Sequence, residues 1–263
     1  MMQRIHKYGS RYYKSTAGLL LPSVTTILNI ISKPALIPWA ARHERAYVVT
    51  IAGRIYQRLK DTFTEYIPAE DFVTDLKQGL EDPAHKQLLK KAASIGTEVH
   101  NLIDWFMAGE LSKKRKAMPP KLTTREARRS FRHWRKWRDS VHLTPILSEE
   151  QVASLLHGYA GTLDLYAKVD GELCVVDYKT SARVYEESFL QNCFYRLALH
   201  EQGYQTAGGW IVRLPKDADD EPFEAVKVPP LDTLVQPCLA ALMLYRWVDQ
   251  RKKERHGQAK GPA

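Results

Sequence analysis

The chain has 263 residues, 44% of them hydrophobic, enough to bury a sizeable core in one large domain or in a core domain with a smaller one appended. A formal charge of +9 favours a polyanionic partner, nucleic acid or an acidic membrane surface, and carries no information about fold. Cys174, Cys193 and Cys238 are scattered with no C-x-x-C spacing, no apolar run approaches the roughly 20 residues of a membrane span, and the start MMQRIHKYGSRYYKSTAG lacks the apolar stretch of a secretory signal; a disulfide framework, a cysteine metal site and a membrane protein are therefore not expected, and a cytoplasmic setting is.

In chain order, Tyr8 to Tyr13 reads as a small hairpin around a Gly-Ser turn, and Ser23 after Pro22 caps a short helix through Ile31. Helical apolar spacing continues from Pro34 to about Leu59 and again from about Pro83 to Met107. Lys113 to Lys116 with Met118-Pro119-Pro120 make a basic loop, after which Thr123 or Thr124 caps a helix running to about Asp139. On that helix Phe131, Trp134 and Arg138 share a side directed at the core, while Arg125, Arg128, Arg132 and Arg135 share another, either a solvated face or a stripe that contacts phosphates. From Pro145 the pattern turns to period two, with strands at about 146–153, 159–169 and 172–179. A helix at 187–202, a strand at 207–214, a closing helix at 231–253 and a disordered tail from Gly257 complete the chain.

The chemistry concentrates in one hairpin. Asp170-Gly171 between two alternating strands demands a turn with positive φ at both central positions, and the turn sets the register: with Val169 opposite Glu172, Asp164 lies across from Asp177 in a non-hydrogen-bonded pair. Like charges so placed repel. Period two puts Lys179 on the same face as Asp177, and the other face, Leu163, Leu165, Ala167, Val169, Cys174, Val176 and Tyr178, is almost wholly apolar. A divalent cation held by both carboxylates relieves the repulsion, and hard oxygen ligands favour Mg²⁺ with Mn²⁺ as a substitute.

Asp164 followed by Asp177-Tyr178-Lys179 resembles the signature of the PD-(D/E)xK nuclease superfamily, and the surroundings are similar to its RecB-like branch. Gly96-Thr97-Glu98-Val99-His100 stands where that branch has Gly-Thr-x-x-His, Glu149 to Val152 where it has E-x-x-V, Tyr159-Ala160-Gly161 leads into the first aspartate, and Gln191 to Tyr195 matches Q-x-x-x-Y. Leu21 to Leu28, with Trp39 downstream, is similar to the start of the family of the mitochondrial genome maintenance exonuclease and its phage and bacterial relatives. The resemblance implies an α/β restriction-endonuclease-like core, a mixed sheet flanked by helices, with a helical N-terminal region. Residues 1–82 would form the N-terminal hairpin and part of a DNA channel, 83–255 the nuclease core with a basic helix inserted at about 112–140, and 256–263 the tail.

The same resemblance implies a metal-dependent exonuclease preferring single-stranded DNA ends, acting in recombination, repair or replication in a bacterial or phage-infected cytoplasm, with replication or recombination proteins as further partners. His100, Asp164, Asp177 and the Tyr178 carbonyl would bind metal, and Lys179 would position or help deprotonate the attacking water. Glu149, or the adjacent Glu150, would add a catalytic carboxylate. Gln191, Tyr195, Ser23, Thr25, Arg128 and Arg132 would contact the substrate, and Tyr12, Tyr13, Trp39, Trp105 and Trp134 are candidates for stacking on bases. The iron–sulfur cluster of some relatives needs four cysteines, one more than this chain has. The competing readings are an inactive nucleic-acid-binding module and an endonuclease subunit of a larger complex. Gly96, one helical turn before His100, would let the helix approach the sheet closely.

Overall fold

The computed structural model describes residues 2–7, 9–31, 33–34, 36–62, 68–111, 118–218 and 222–258; the basic loop Lys113 to Lys116 and the end of the expected disordered tail lie outside the described residues. The chain divides into two compact units, Ser32–Ser94 and the remainder, Met1–Ile31 with Ile95–Ala263.

The larger unit is built on a five-stranded sheet. Strand β4 (Leu143–Ser154), β5 (Tyr159–Val169), β6 (Glu172–Lys179), β7 (Gly208–Arg213) and β8 (Glu224–Lys227) lie side by side in chain order. All neighbours are antiparallel except β6 and β7, which are parallel and joined by helix α6 (Glu186–Glu201). The sheet is covered on both faces, so its central strands are apolar on both sides. One cluster joins β5 and β6 to helix α4 (Ala84–Glu110), through Ile95, Val99, Ile103 and Met107, and to helix α5 (Arg125–Ser140), through Phe131, Trp134 and Trp137. On the other side α6, helix α1 (Val24–Leu28) and helix α7 (Leu231–Gln258) bury Val24, Ile27, Phe194, Leu199 and Leu242. This mixed sheet flanked by helices is the α/β architecture expected from the sequence.

Ahead of it, β1 (Gln3–Lys7), β2 (Ser10–Lys14) and β3 (Leu20–Pro22) form a three-stranded antiparallel sheet. Lys7 pairs with Ser10, so Ser10 opens the second strand and is not part of the turn as expected; Gly9 has a φ of 70°, which its missing Cβ permits. Ser23, paired with Ala160 at the edge of β5, accepts the Thr26 N–H at 3.0 Å and caps α1. The smaller unit contains α2 (Leu36–Thr62) and α3 (Ala69–Gly79), packed through Ile55 and Leu59 and tied by the Tyr47 hydroxyl donating to the Gly79 carbonyl and by an Arg58–Asp75 ion pair.

Several boundaries differ from the sequence reading. Helix α3, strand β3 and strand β8 have no counterpart in the sequence reading; the two strands, of three and four residues, are too short to show a period. Helix α7 runs on to Gln258, past its expected end at 253. On α5 Phe131, Trp134 and Trp137 turn inward, and Arg138 is half-buried on the same side, its Nε covered and its Nη2 paired with Glu110 at 3.0 Å. Among the described residues no helix is long and apolar enough to cross a membrane.

Candidate functional site

The β5–β6 hairpin has the register read from its turn. Asp170 and Gly171 both take positive φ, 48° and 94°, and the ladder runs from Val169 opposite Glu172 to Leu165 opposite Val176. One step further, where Asp164 would face Asp177, pairing stops. The Asp164 Oδ2 instead accepts the backbone N–H of Tyr178 at 2.7 Å. The expected like-charged ladder pair is thus a fork in which a carboxylate replaces a strand as hydrogen-bond acceptor. The apolar face also differs in one place, since Leu163 packs with Val24 and Tyr159 and not with Leu165.

On the other flank of β5, Leu165 pairs with Ser148 and Leu163 with Glu150, and Glu149 between them has a φ of 48°. Left-handed backbone at a non-glycine residue costs on the order of 1–3 kcal/mol and is held only by its surroundings. It brings the Glu149 carboxylate to 3.9 Å from His100 Nδ1, with Asp164 Oδ1 at 3.4 Å from the same nitrogen. Ligand atoms of His100, Glu149 and Asp164 all lie within 4.8 Å of one another. Of the two adjacent glutamates, Glu149 is therefore the one gathered here. Asp104, one turn beyond His100 on α4, accepts a 2.8 Å hydrogen bond from the Ser148 hydroxyl; its i, i+4 spacing from His100 is the sequence signal that points to it.

Asp177 is almost completely buried and lies outside that trio. Lys179 Nζ is 2.6 Å from its Oδ2, whereas its Oδ1 has no hydrogen-bond partner among the described residues. Burial, reinforced by Asp164, pushes the Asp177 carboxyl up to about 6 against the pull of Lys179. Burial raises Asp164 too, but His100 and Lys179 outweigh it and hold that carboxyl below its usual range. The His100 imidazole would be lowered by burial; Asp164 and Glu149 overcome this and lift it to about 10. Lys179 is likewise pulled down by burial and pushed further up by Asp177 and Asp164, so it stays an ammonium. A histidine and two carboxylates within mutual reach, beside a buried carboxylate oxygen with no donor, suit a divalent cation.

A family model of the PD-(D/E)XK nuclease superfamily matches residues 71–256, well over half of the chain. The chain belongs to the PD-(D/E)XK nuclease superfamily. A search of curated proteins finds no match. The matched span contains every residue of the site just described, and the mixed sheet flanked by helices is its restriction-endonuclease-like core. Nucleases of this superfamily use divalent metals, in keeping with the donors present.

In this nuclease the β6 lysine is held from the next helix. Lys179 Nζ donates to Gln191 Oε1 at 2.9 Å, and Gln191 Nε2 donates to the Tyr195 hydroxyl at 3.1 Å. The helix is anchored beneath these residues: Asn192 Nδ2 donates to the Val175 carbonyl at 2.9 Å, and the Tyr159 hydroxyl to the Phe194 carbonyl at 2.8 Å. Two glycines make room. A Cβ on Gly209 would lie 2.3 Å from Asn192 Oδ1, and one on Gly161 would lie 2.5 Å from Tyr195 Cε1 and 3.2 Å from Val24 Cγ2. The Tyr-Ala-Gly lead into Asp164 thus admits the helix that steadies Lys179. Gly96 acts similarly, since a Cβ there would meet Thr180 Oγ1 at 3.1 Å.

The other residues expected to contact the substrate differ in exposure. Ser23 is buried, and its hydroxyl is engaged with Thr26 N and Thr26 Oγ1, leaving Thr25 as the exposed member of the pair. Tyr12, Tyr13 and Trp134 are buried and unable to stack on a base, whereas Trp39 and Trp105 are partly open. Arg132 is exposed on α5, but Arg128 Nη1 donates to the Leu122 carbonyl at 2.8 Å and braces the loop before the helix.

Proposed function

We propose that this nuclease is a Mg²⁺-dependent exonuclease of the RecB-like branch that hydrolyses single-stranded DNA from its ends, a relative of the mitochondrial genome maintenance exonuclease and its phage and bacterial kin. The observation that carries the reading is the joining of the His100, Glu149 and Asp164 cluster to the buried Asp177–Lys179 pair at the open end of one hairpin. An inactive descendant would have no constraint keeping all five together.

His100, Glu149, Asp164, Asp177 and the Tyr178 carbonyl would hold the cation, which when bound supplies positive charge to the scissile phosphate and acidifies a water. Lys179, kept charged by Asp177 and Asp164, acts by position and charge: it orients the attacking water and offsets negative charge developing on the phosphate, a contribution of roughly 10²–10⁴ in rate. Gln191 and Tyr195 hold that ammonium in place from α6. Thr25, Arg128 and Arg132 belong to the substrate-facing surface, Arg128 through the loop it braces.

The test is degradation of end-labelled linear single-stranded DNA with Mg²⁺ or with EDTA, by wild type and Asp177→Ala, beside a circular single strand. Loss of the linear strand alone, with metal and wild type only, is expected. Cleavage of the circle would make it an endonuclease, and binding without cleavage an inactive module.

A further inference from the structure

Helix α5 and the segment after β7 enclose a groove of about 680 Å³ that belongs to no part of the metal site. Arg125, Arg128, Arg129, Arg132 and Lys216 line it and face two carboxylates, Glu126 and Asp217. Arg125, Arg129 and Arg132 make no ion pair with any described residue, and Arg125 and Arg132 are exposed. The surrounding charge is felt by a neighbour: burial first, then Lys136, Arg129 and Arg132, hold the His133 imidazole below its usual range.

The groove is fixed to the elements that carry the metal site. The Ser130 hydroxyl donates to the Leu214 carbonyl at 3.1 Å, docking α5 on the end of β7. Glu98, half a turn before His100 on α4, accepts both the N–H and the hydroxyl of Thr123, at 2.8 and 2.7 Å, which sets the start of α5. Lys216 Nζ donates to the carbonyl of Thr180 at 3.2 Å, and Thr180 directly follows Lys179. A positive groove therefore opens next to the C-terminal end of β6.

We infer that this groove is a second binding site, one that takes the phosphodiester backbone of the single DNA strand beyond the scissile phosphate, with Arg125, Arg129 and Arg132 as its phosphate-binding side chains. The inference rests on the nuclease reading for the identity of the strand, and on charge complementarity and continuity with β6 for its path. Arginine suits the task because its planar fork meets phosphate oxygens in pairs. Arg128 serves the groove's wall, since its guanidinium is bonded to the carbonyls of Leu122 and Thr123.

The experiment measures anisotropy of a fluorescein-labelled oligothymidine, a strand that cannot pair with itself and is long enough to span both sites, with the full chain in EDTA over a range of NaCl concentrations. Four proteins are compared: wild type, Arg125→Gln/Arg129→Gln/Arg132→Gln, its charge-preserving lysine counterpart, and a control that removes equal charge far along α7, Arg251→Gln/Lys252→Gln/Arg255→Gln. Each phosphate left without its arginine should make the slope of log affinity against log salt shallower by about 0.7, so the groove triple should flatten it by about 2 and the control should not. An Arg125→Lys/Arg129→Lys/Arg132→Lys protein, which keeps the charge and guards against misfolding, should retain most of the slope. A groove triple that binds like wild type, equal weakening in groove and control proteins, or a wild type that does not bind the oligonucleotide would each overturn the inference. Because no cleavage is needed, a wild type that binds with the expected slope and never cuts DNA overturns the nuclease reading alone.

Discussion

Gly161→Ala tests whether the helix behind the hairpin sets the reactivity of Lys179. The new Cβ would lie 2.5 Å from Tyr195 Cε1 and 3.2 Å from Val24 Cγ2, whereas non-bonded carbons settle at roughly 3.5–4.0 Å, so the tyrosine ring must retreat by about 1 Å. Tyr195 and Val24 are both buried in the core and have no solvent to move into. Overpacking of this kind costs about 1–3 kcal/mol, which for a chain of this size lowers the melting midpoint by roughly 3–10 °C. The catalytic loss should be larger than the stability loss suggests, because Tyr195 moves Gln191 and Gln191 moves the Lys179 ammonium; a displacement of about 1 Å at a reacting centre can cost up to ~10²-fold. Differential scanning fluorimetry and single-turnover cleavage of labelled single-stranded DNA would measure the two effects. Gly161→Ala/Tyr195→Leu should regain stability without regaining rate, a non-additive pair as expected of residues that touch. A Gly161→Ala protein with unchanged midpoint and unchanged rate would refute the reasoning.

Lys179→Ala should lower the cleavage rate by roughly 10²–10⁴ while leaving metal affinity nearly intact, and Asp177→Ala should impair both; titration calorimetry with Mn²⁺ beside a cleavage assay separates them. His100 is lifted to about 10 and is therefore protonated in the metal-free protein at neutral pH, so metal binding there should release a proton, give a buffer-dependent heat, and tighten as pH rises; heats that do not vary with buffer would argue against His100 as a ligand. The linkage has the same sign without metal: with its folded value raised, His100 contributes stability that is complete below its unfolded value of about 6.5 and lost as pH climbs through about 10, visible in urea midpoints. Asn192→Ala removes the donor to the Val175 carbonyl in the middle of the sheet and should cost about 1–3 kcal/mol in urea denaturation; a midpoint equal to that of wild type would show that the bond does not anchor α6.

Much of the core is legible because its signals are local. A two-residue Asp-Gly turn admits one register, and that register alone determines which residues share a face with Asp177. Ser23 and Thr124 announce their helices as caps, each accepting the N–H three residues on. The features that a linear reading does not disclose depend on distant partners. Strict alternation cannot show that β5 and β6 part at Asp164, since the parting needs a side chain competing with a strand for the Tyr178 N–H. Nor does it separate Glu149 from Glu150, a choice made by backbone at a φ of 48°. The bracing role of Arg128 is hidden because helical spacing shows which side of α5 a residue occupies and not which carbonyl lies within reach. Strand β8, only four residues long and largely half-buried, is drawn into the sheet by pairing with β7 and has little pattern of its own.

The Tyr178 amide hydrogen lies at the point where the two strands separate, bonded to a carboxylate and not to a carbonyl. Its protection from exchange with deuterated solvent therefore follows the ionisation and position of Asp164, while the amides of Cys174 and Val176, inside the paired ladder, follow the sheet itself. One backbone proton thus reports on the condition of the acidic cluster around Asp164 separately from the fold that supports it, without substrate, metal or turnover.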